Sequence, residues 1–134
     1  GGKAMRFSYV AIACLLGLIA VALGAFGAHA IGNVVSEARL AIWTTAVQYH
    51  FFHVLAVLVL SAVFRNNADR WVNRAQASFL VGVGIFSGSL YALVLTDIPA
   101  LGAITPVGGL LLMLGWLFAF VAAVKAHRSI DAKV

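Results

Sequence analysis

The sequence has few charged residues, one cysteine and two prolines in its 134 residues. Charged residues make up 10% of the chain, whereas an average soluble domain has about 25%. Hydrophobic residues make up 63%, so a water-soluble fold would lack the polar side chains needed to face water. The composition therefore excludes an ordinary soluble domain and is typical of an integral membrane protein.

The single cysteine, Cys14, excludes an intramolecular disulfide, a CxxC motif and a cysteine metal cluster. It lies in an apolar run, and we expect it to be a small buried side chain. The net charge of +5 does not indicate nucleic-acid binding, because the basic residues occupy short segments between apolar runs. We therefore expect no nucleic-acid partner.

Four long stretches contain no charged residue: residues 7–36, 40–64, 75–96 and 98–124. Each exceeds the ~20 residues that a helix needs to cross a bilayer, and none shows the alternation of barrel strands. The sequence therefore predicts an all-α integral membrane fold. Its four transmembrane helices are predicted near residues 7–30, 41–64, 75–95 and 106–124.

The predicted helices form a single domain over residues 5–126, followed by a cytoplasmic tail over 127–134. Residues 1–4 precede Met5, and we expect them to be a remnant of cloning. The start of the chain also resembles a signal peptide that ends at Ala28-His29-Ala30. Its apolar run exceeds the about 7–15 residues of such peptides, so we expect an uncleaved first helix.

The distribution of basic residues predicts the topology. Eight of the nine lysine and arginine residues flank the predicted helices on one side of the membrane, and Arg39 alone lies on the other. The positive-inside rule then places both termini in the cytoplasm. Short connections favour an up-down-up-down four-helix bundle.

Local signals mark several helix ends. Ser36 is a predicted N-cap of the second helix, with Glu37 in its first turn. Thr105 followed by Pro106 predicts a cap and the first position of the fourth helix. The segment from Asp97 to Pro99 is expected to end the third helix.

Small residues at helical spacing predict packing surfaces, because membrane helices associate by close backbone approach. The first helix presents such a stripe, the third has a Gly-xxx-Gly pair and the fourth has a second stripe. The pair predicts an internal seam or, more weakly, a homo-oligomer. The glycines assigned to packing are Gly17, Gly24, Gly84, Gly88, Gly108 and Gly115.

Uncharged polar residues concentrate in the outer half of the predicted spans. Tyr49 and His53 are four residues apart and share a helix face. We hypothesise a polar seam or ligand site composed of Gln48, Tyr49, His53, Ser87 and Tyr91, with His29 near the outer surface. Ordinary hydrogen bonding between helices is the alternative, because no acidic residue or arginine joins the seam.

The histidines and serines give little support for catalysis. His50 and His53 are three residues apart, but no Asp, Glu or Cys supplements them as metal ligands. Ser87 and Ser89 have no carboxylate partner near a histidine, so a catalytic triad cannot be assembled. We predict no metal site, no cofactor and no enzymatic activity.

Four ordered motifs resemble those of a known family, and the match as a whole spans about residues 5–126. They are Gly24-Ala25-Phe26-Gly27-Ala28-His29, Trp43-x-Thr45-Ala46-Val47-x-Tyr49 with His53, Phe86-Ser87-Gly88-Ser89-Leu90-Tyr91 and Thr105-Pro106-x-Gly108-Gly109. The chain resembles the YgdD-like bacterial membrane proteins, domain of unknown function 423, which are related to eukaryotic transmembrane protein 256. The resemblance implies a multi-pass inner (plasma) membrane protein without an established activity. It also weakens His50 as a candidate ligand, because glutamine is usual at this position in that family.

The expected function is that of a non-enzymatic structural or interaction component of the membrane. Its outer half is expected to offer a site for a lipid, a quinone or a small solute, with membrane lipids as partners. A small oligomeric transporter or channel is the first alternative. A haem or metal redox subunit is the second.

Overall fold

The computed structural model describes residues 2–67 and 69–134, and within these ranges it contains helices and loops but no strand. Two short 3₁₀ helices, Ile31–Asn33 and Pro99–Ala103, lie in connections between longer helices. All four long helices are long and apolar enough to cross a membrane. The predicted all-α fold with four spans is therefore confirmed. The long helices are α1 (Gly2–His29), α2 (Glu37–Val63), α3 (Arg70–Thr96) and α4 (Thr105–Asp131).

Contacts between the helix ends define two poles of the bundle. Arg6 at the start of α1 donates a hydrogen bond to the carbonyl oxygen of Arg65, in the α2–α3 connection. Lys125 near the end of α4 lies 3.4 Å from Asp69 in the same connection. We call this pole, which carries both termini, the basic end. At the opposite end, Arg39 donates to the carbonyl oxygen of Val94 on α3.

The helices extend beyond their predicted bounds at the basic end. α1 begins at Gly2, α3 begins at Arg70, and α4 continues to Asp131, so most of the predicted tail is helical. The predicted bounds followed the charge-free stretches. A helix can continue past the hydrocarbon, because charged side chains on its last turns reach water or lipid headgroups.

The residues predicted to mark helix ends are confirmed at two positions and wrong at a third. Ser36 caps α2 as predicted, and its side chain accepts a hydrogen bond from the backbone nitrogen of Arg39 at 3.2 Å. α3 ends at Thr96 and Asp97 adopts a left-handed conformation with φ 55°, which confirms the break. The predicted cap at Thr105 is wrong, because its hydroxyl bonds the Ser89 hydroxyl at 2.6 Å and Ile104 is the N-cap.

The helices pack in chain order, and the contact between α3 and α4 is the most extensive. α1 packs chiefly on α2 and contacts α3 only slightly. α1 therefore leaves much of its apolar surface toward lipid. Cys14 belongs to this exposed surface, so the prediction that it is buried is wrong. A membrane helix can expose apolar side chains freely, because lipid is as apolar as a protein core.

Glycines make the contact between α3 and α4 possible. A side chain at Gly108 would overlap the backbone of Phe86. A Cβ at Gly115 would lie 2.5 Å from the Phe79 ring. Gly82, which the sequence did not single out, meets Leu112 in the same way at 2.7 Å. The predicted packing roles of Gly108 and Gly115 are thus confirmed.

The remaining glycines divide between packed and open positions. Cβ atoms at Gly17 and Gly24 would be in ordinary contact with α2, at 3.8 and 3.5 Å. Gly27 packs more tightly, because a side chain there would overlap the ring of Trp43. A Cβ at Gly84 or Gly88 would meet no atom within 4 Å. The predicted internal seam at those two residues is therefore wrong.

Candidate functional site

A histidine fixed by two hydrogen bonds lies midway along α2. His53 Nδ1 lies 2.7 Å from the carbonyl oxygen of Tyr49, so Nδ1 must carry the proton and donate it. Trp116 Nε1 on α4 donates to His53 Nε2 at 3.0 Å. Both ring nitrogens are therefore engaged and the tautomer is set by its partners. His53 is 6% exposed, and it ties α2 to α4 across the apolar interior.

A groove with a volume of about 790 Å³ opens beside this histidine, between α2 and α4. Phe86 of α3 lies at its floor, and the Tyr49 and Phe86 rings are 4.8 Å apart. None of the lining residues is an Asp, Glu, Lys or Arg, and His53 is neutral when Nδ1 donates a hydrogen bond and Nε2 accepts one. The groove is lined by Tyr49, Phe52, His53, Leu55, Phe86, Gly109, Leu112, Met113 and Trp116.

The groove faces the side of the bundle that the bilayer would cover. Phe52 and Met113, on opposite walls, are 59% and 67% exposed. His53 and Phe86 lie near the middle of their charge-free stretches, so the groove reaches the centre of the predicted span. A molecule could enter it sideways from the hydrocarbon, without passing through water.

Tyr49 is the polar side chain of the groove that remains available. Its ring stacks on His53 with a centroid distance of 5.9 Å, and the residue is 40% exposed. None of the side-chain hydrogen bonds found among the described residues uses its hydroxyl. The predicted proximity of Tyr49 and His53 is thus confirmed, and the tyrosine hydroxyl can donate to a ligand.

The other residues of the predicted seam do not join this groove. Ser87 is buried and donates to the carbonyl oxygen of Ala46 at 2.7 Å, which bonds α3 to α2. Gln48 lines a separate cavity of about 260 Å³ between α1 and α2. His29 is exposed at the last residue of α1. A single seam is therefore wrong, because the helix rotations direct these side chains to different neighbours.

Tyr91 pairs with His50, the histidine that the family resemblance disfavours as a ligand. Its hydroxyl lies 2.9 Å from Nδ1 of His50, which is 3% exposed. The other nitrogen of His50, Nε2, is buried and has no hydrogen-bond partner among the described residues. His50 therefore links α2 to α3 and lies apart from the groove.

Two residues to which the sequence patterns gave no role, Trp116 and Gln76, form hydrogen bonds between helices. Tryptophan prefers the membrane–water interface, so one deep inside a span was a signal that could have drawn attention to Trp116. Gln76 is 1% exposed and donates to the Ser61 hydroxyl at 2.7 Å and the Val57 carbonyl oxygen at 2.9 Å. A glutamine within a span similarly indicated a bond between helices.

The site offers little for metal binding. Within residues 2–67 and 69–134, no group of three or more His, Cys, Asp or Glu side chains could hold a metal ion. A haem iron at His53 would need a ring nitrogen that already bonds Tyr49 or Trp116. The arrangement instead suits an uncharged molecule in contact with aromatic rings.

The fold defines a small multi-pass membrane protein with an aromatic-lined groove between two of its spans. The family described as "Protein of unknown function (DUF423)" matches residues 23–109, and the chain belongs to this family. It is 39% identical to the UPF0382 membrane protein YwdK of Bacillus subtilis (strain 168) over 122 residues. That alignment covers 87% of this chain and 96% of YwdK.

Two further relatives agree with this assignment. The UPF0382 membrane protein SAB0533 of Staphylococcus aureus (strain bovine RF122 / ET3-1) is 39% identical, with 87% of this chain and 95% of the relative covered. The UPF0382 inner membrane protein YgdD of Escherichia coli (strain K12) is 34% identical, with 92% and 93% covered. No solved structure matches the chain. The chain is a multi-pass inner membrane protein, as the motifs implied.

Proposed function

We propose that this protein is a non-enzymatic membrane component that binds a lipid-soluble molecule with an uncharged polar ring. A quinone is the member of this class that fits best. The observation that carries the proposal is the groove between α2 and α4, which combines apolar walls, a free tyrosine hydroxyl and an opening toward the bilayer.

The volume and lining of the groove support a ligand of moderate size. Small-molecule sites commonly occupy ~300–1,000 Å³ and combine apolar walls with a few polar groups. The groove has about 790 Å³ and is lined by four aromatic rings besides the imidazole of His53. A flat ring can pack against these aromatic side chains, and its tail can remain in the hydrocarbon.

The depth of the groove favours a quinone over a phospholipid headgroup. A charged or zwitterionic headgroup near the bilayer centre is costly, and nothing in the lining compensates a phosphate. An uncharged ring carbonyl needs only one hydrogen-bond donor. The Tyr49 hydroxyl supplies that donor at the groove surface.

A binding role is favoured over catalysis because the lining holds no carboxylate, amine or thiol to move protons or attack a substrate. Both ring nitrogens of His53 already form hydrogen bonds, so the imidazole is part of the groove wall and is not free to act as a general base. The proposal therefore assigns the groove to holding or presenting a ligand.

The test uses purified protein in detergent and a decyl-substituted benzoquinone as the probe. Gly109→Leu would place a larger side chain in the groove, since a Cβ there is in ordinary contact with Phe86 at 3.7 Å. Gly84→Leu is the matched control, because Gly84 faces open space outside the groove. We expect saturable quenching of tryptophan fluorescence in the wild type and in Gly84→Leu, but not in Gly109→Leu.

Two results would count against the proposal. One is equal, non-saturable quenching in all three proteins, which would indicate partitioning of the probe into micelles. The other is unchanged saturable binding in Gly109→Leu, with helical content preserved by circular dichroism, which would locate the site elsewhere.

A further inference from the structure

The basic end has more cations than its acidic residues can pair with. Eight of the nine lysine and arginine residues lie there, with two of the four acidic residues. Asp69 is 3.4 Å from Lys125, and Asp131 is 3.1 Å from the ring of His127. Both carboxylates are thus engaged, and in the described part of the chain no further Asp or Glu side chain is left at this end.

Two of the remaining cations share one aromatic ring at the start of α3. The guanidinium carbons of Arg70 and Arg74 lie 5.6 and 4.7 Å from the ring centroid of Trp71. The two arginines are four residues apart, so they occupy the same helix face and repel each other. Neither forms an ion pair with any described residue, and both are exposed.

The Trp71 ring, against which both guanidinium groups lie, is held in place by its neighbours. Trp71 is half-buried and packs against Phe118 of α4, with their ring centroids 5.7 Å apart. The Asp69 carboxylate accepts a hydrogen bond from the Trp71 backbone nitrogen at 2.6 Å, which fixes the first turn of α3. Both guanidinium groups therefore lie against a ring whose position is set by packing and by a backbone hydrogen bond.

We propose that Arg70, Trp71 and Arg74 bind the headgroup of an anionic phospholipid. The planar guanidinium group matches a phosphate through paired hydrogen bonds, and one phosphate between the two arginines relieves their repulsion. Tryptophan at the end of a span lies at headgroup depth. This site is separate from the groove between α2 and α4 and does not depend on the ligand proposed there.

The surface next to the two arginines favours a lipid over a soluble phosphate compound. Phe118 packs on Trp71, and Leu114 lies about one turn deeper along α4 and is 41% exposed. This apolar strip can accommodate an acyl chain while the headgroup contacts the arginines. Soluble glycerol phosphate has the same anionic group but gains nothing from the strip.

The test measures binding of phosphatidylglycerol and of phosphatidylcholine to the intact protein in detergent, by native mass spectrometry. The variant is Arg70→Gln/Arg74→Gln. The control is Arg128→Gln/Lys133→Gln, which removes the same charge from the same end. We expect the first pair to weaken phosphatidylglycerol binding by roughly tenfold and the control by less than about twofold. Phosphatidylcholine should bind the wild type more weakly than phosphatidylglycerol.

Three outcomes would overturn the proposal. Equal losses in both double variants would mean general charge attraction without a site. Equal binding of the two lipids by the wild type would remove the role of the anionic headgroup. Competition by millimolar glycerol phosphate as strong as that by the lipid would identify a soluble anion as the occupant. Circular dichroism of both variants verifies that the helices are intact.

Discussion

Trp116 Nε1 donates a hydrogen bond to His53 Nε2 at 3.0 Å, and this bond joins α4 to α2 beside the groove. The indole ring of Trp116 also packs on Phe79, with a centroid distance of 5.0 Å. The same tryptophan therefore forms a wall of the groove and sets the tautomer of the histidine next to it. Loss of this bond should affect both the fold and the site.

Replacement of Trp116 by Phe should lower the stability of the bundle by about 1 kcal/mol, since an acceptor in an apolar interior loses its donor. Tyr49→Phe is the comparison, because no described residue uses its hydroxyl. It should leave stability unchanged and weaken binding of the quinone probe severalfold. Unfolding in mixed micelles measures stability. Equal stability of Trp116→Phe and the wild type would show that the hydrogen bond to His53 does not stabilise the bundle.

The glycines of α3 and α4 allow a matched set of substitutions. Gly108→Ala should destabilise the bundle by roughly 1–3 kcal/mol, because the new methyl group would overlap the Phe86 backbone. Gly115→Ala should do the same against the Phe79 ring. Gly84→Ala and Gly88→Ala should cause no loss, since both face open space. Thermal unfolding in detergent distinguishes the two pairs, and a reversed order would show that α3 is rotated differently.

Arg39 is predicted to hold the opposite end of the bundle together. It donates to the carbonyl oxygen of Val94 and lies 3.9 Å from the carboxylate of Asp97. Arg39→Ala should loosen the last turn of α3, because those partners lose their cation. Hydrogen exchange should rise at residues 94–97 and stay unchanged near Arg74. Exchange that is equal to the wild type at 94–97 would indicate that the contact contributes nothing.

The topology prediction can be tested with reporters fused to the chain. Both termini lie at the basic end, and the positive-inside rule predicts that this end is cytoplasmic. Green fluorescent protein fused after Val134 should fluoresce, whereas alkaline phosphatase there should be inactive. The opposite pattern at Val134 would mean that the orientation is inverted.

The four spans were predictable because the requirement for a membrane span concerns only the order of residues along the chain. A helix in lipid needs a run of about 20 apolar residues, and such runs are visible without knowledge of contacts. The cap at Ser36 was equally local, since its partner lies three residues away. The predicted cap at Thr105 failed because a distant hydroxyl, that of Ser89, bonds its side chain.

The candidate site was predictable only in part, because the rotation of each helix decides which side chains meet. Gly82 and Gly84 are two residues apart and so point to nearly opposite sides of α3. The spacing of Gly84 and Gly88 suggested packing, yet Gly82 is the residue that contacts α4. Likewise the predicted seam groups Tyr91 with Gln48, whereas the Tyr91 hydroxyl bonds His50.

The proposed quinone-type site between α2 and α4 can be probed in the membrane by photo-crosslinking. A photoreactive benzoquinone analogue would be irradiated with the protein in membranes, and the labelled residues identified by mass spectrometry. We predict labels on Phe52 and Met113, which form the two walls of the groove, and competition by unlabelled quinone. Uncompeted labels spread over exposed lipid-facing residues of α1, such as Leu15 and Leu18, would mean that the quinone does not occupy the groove.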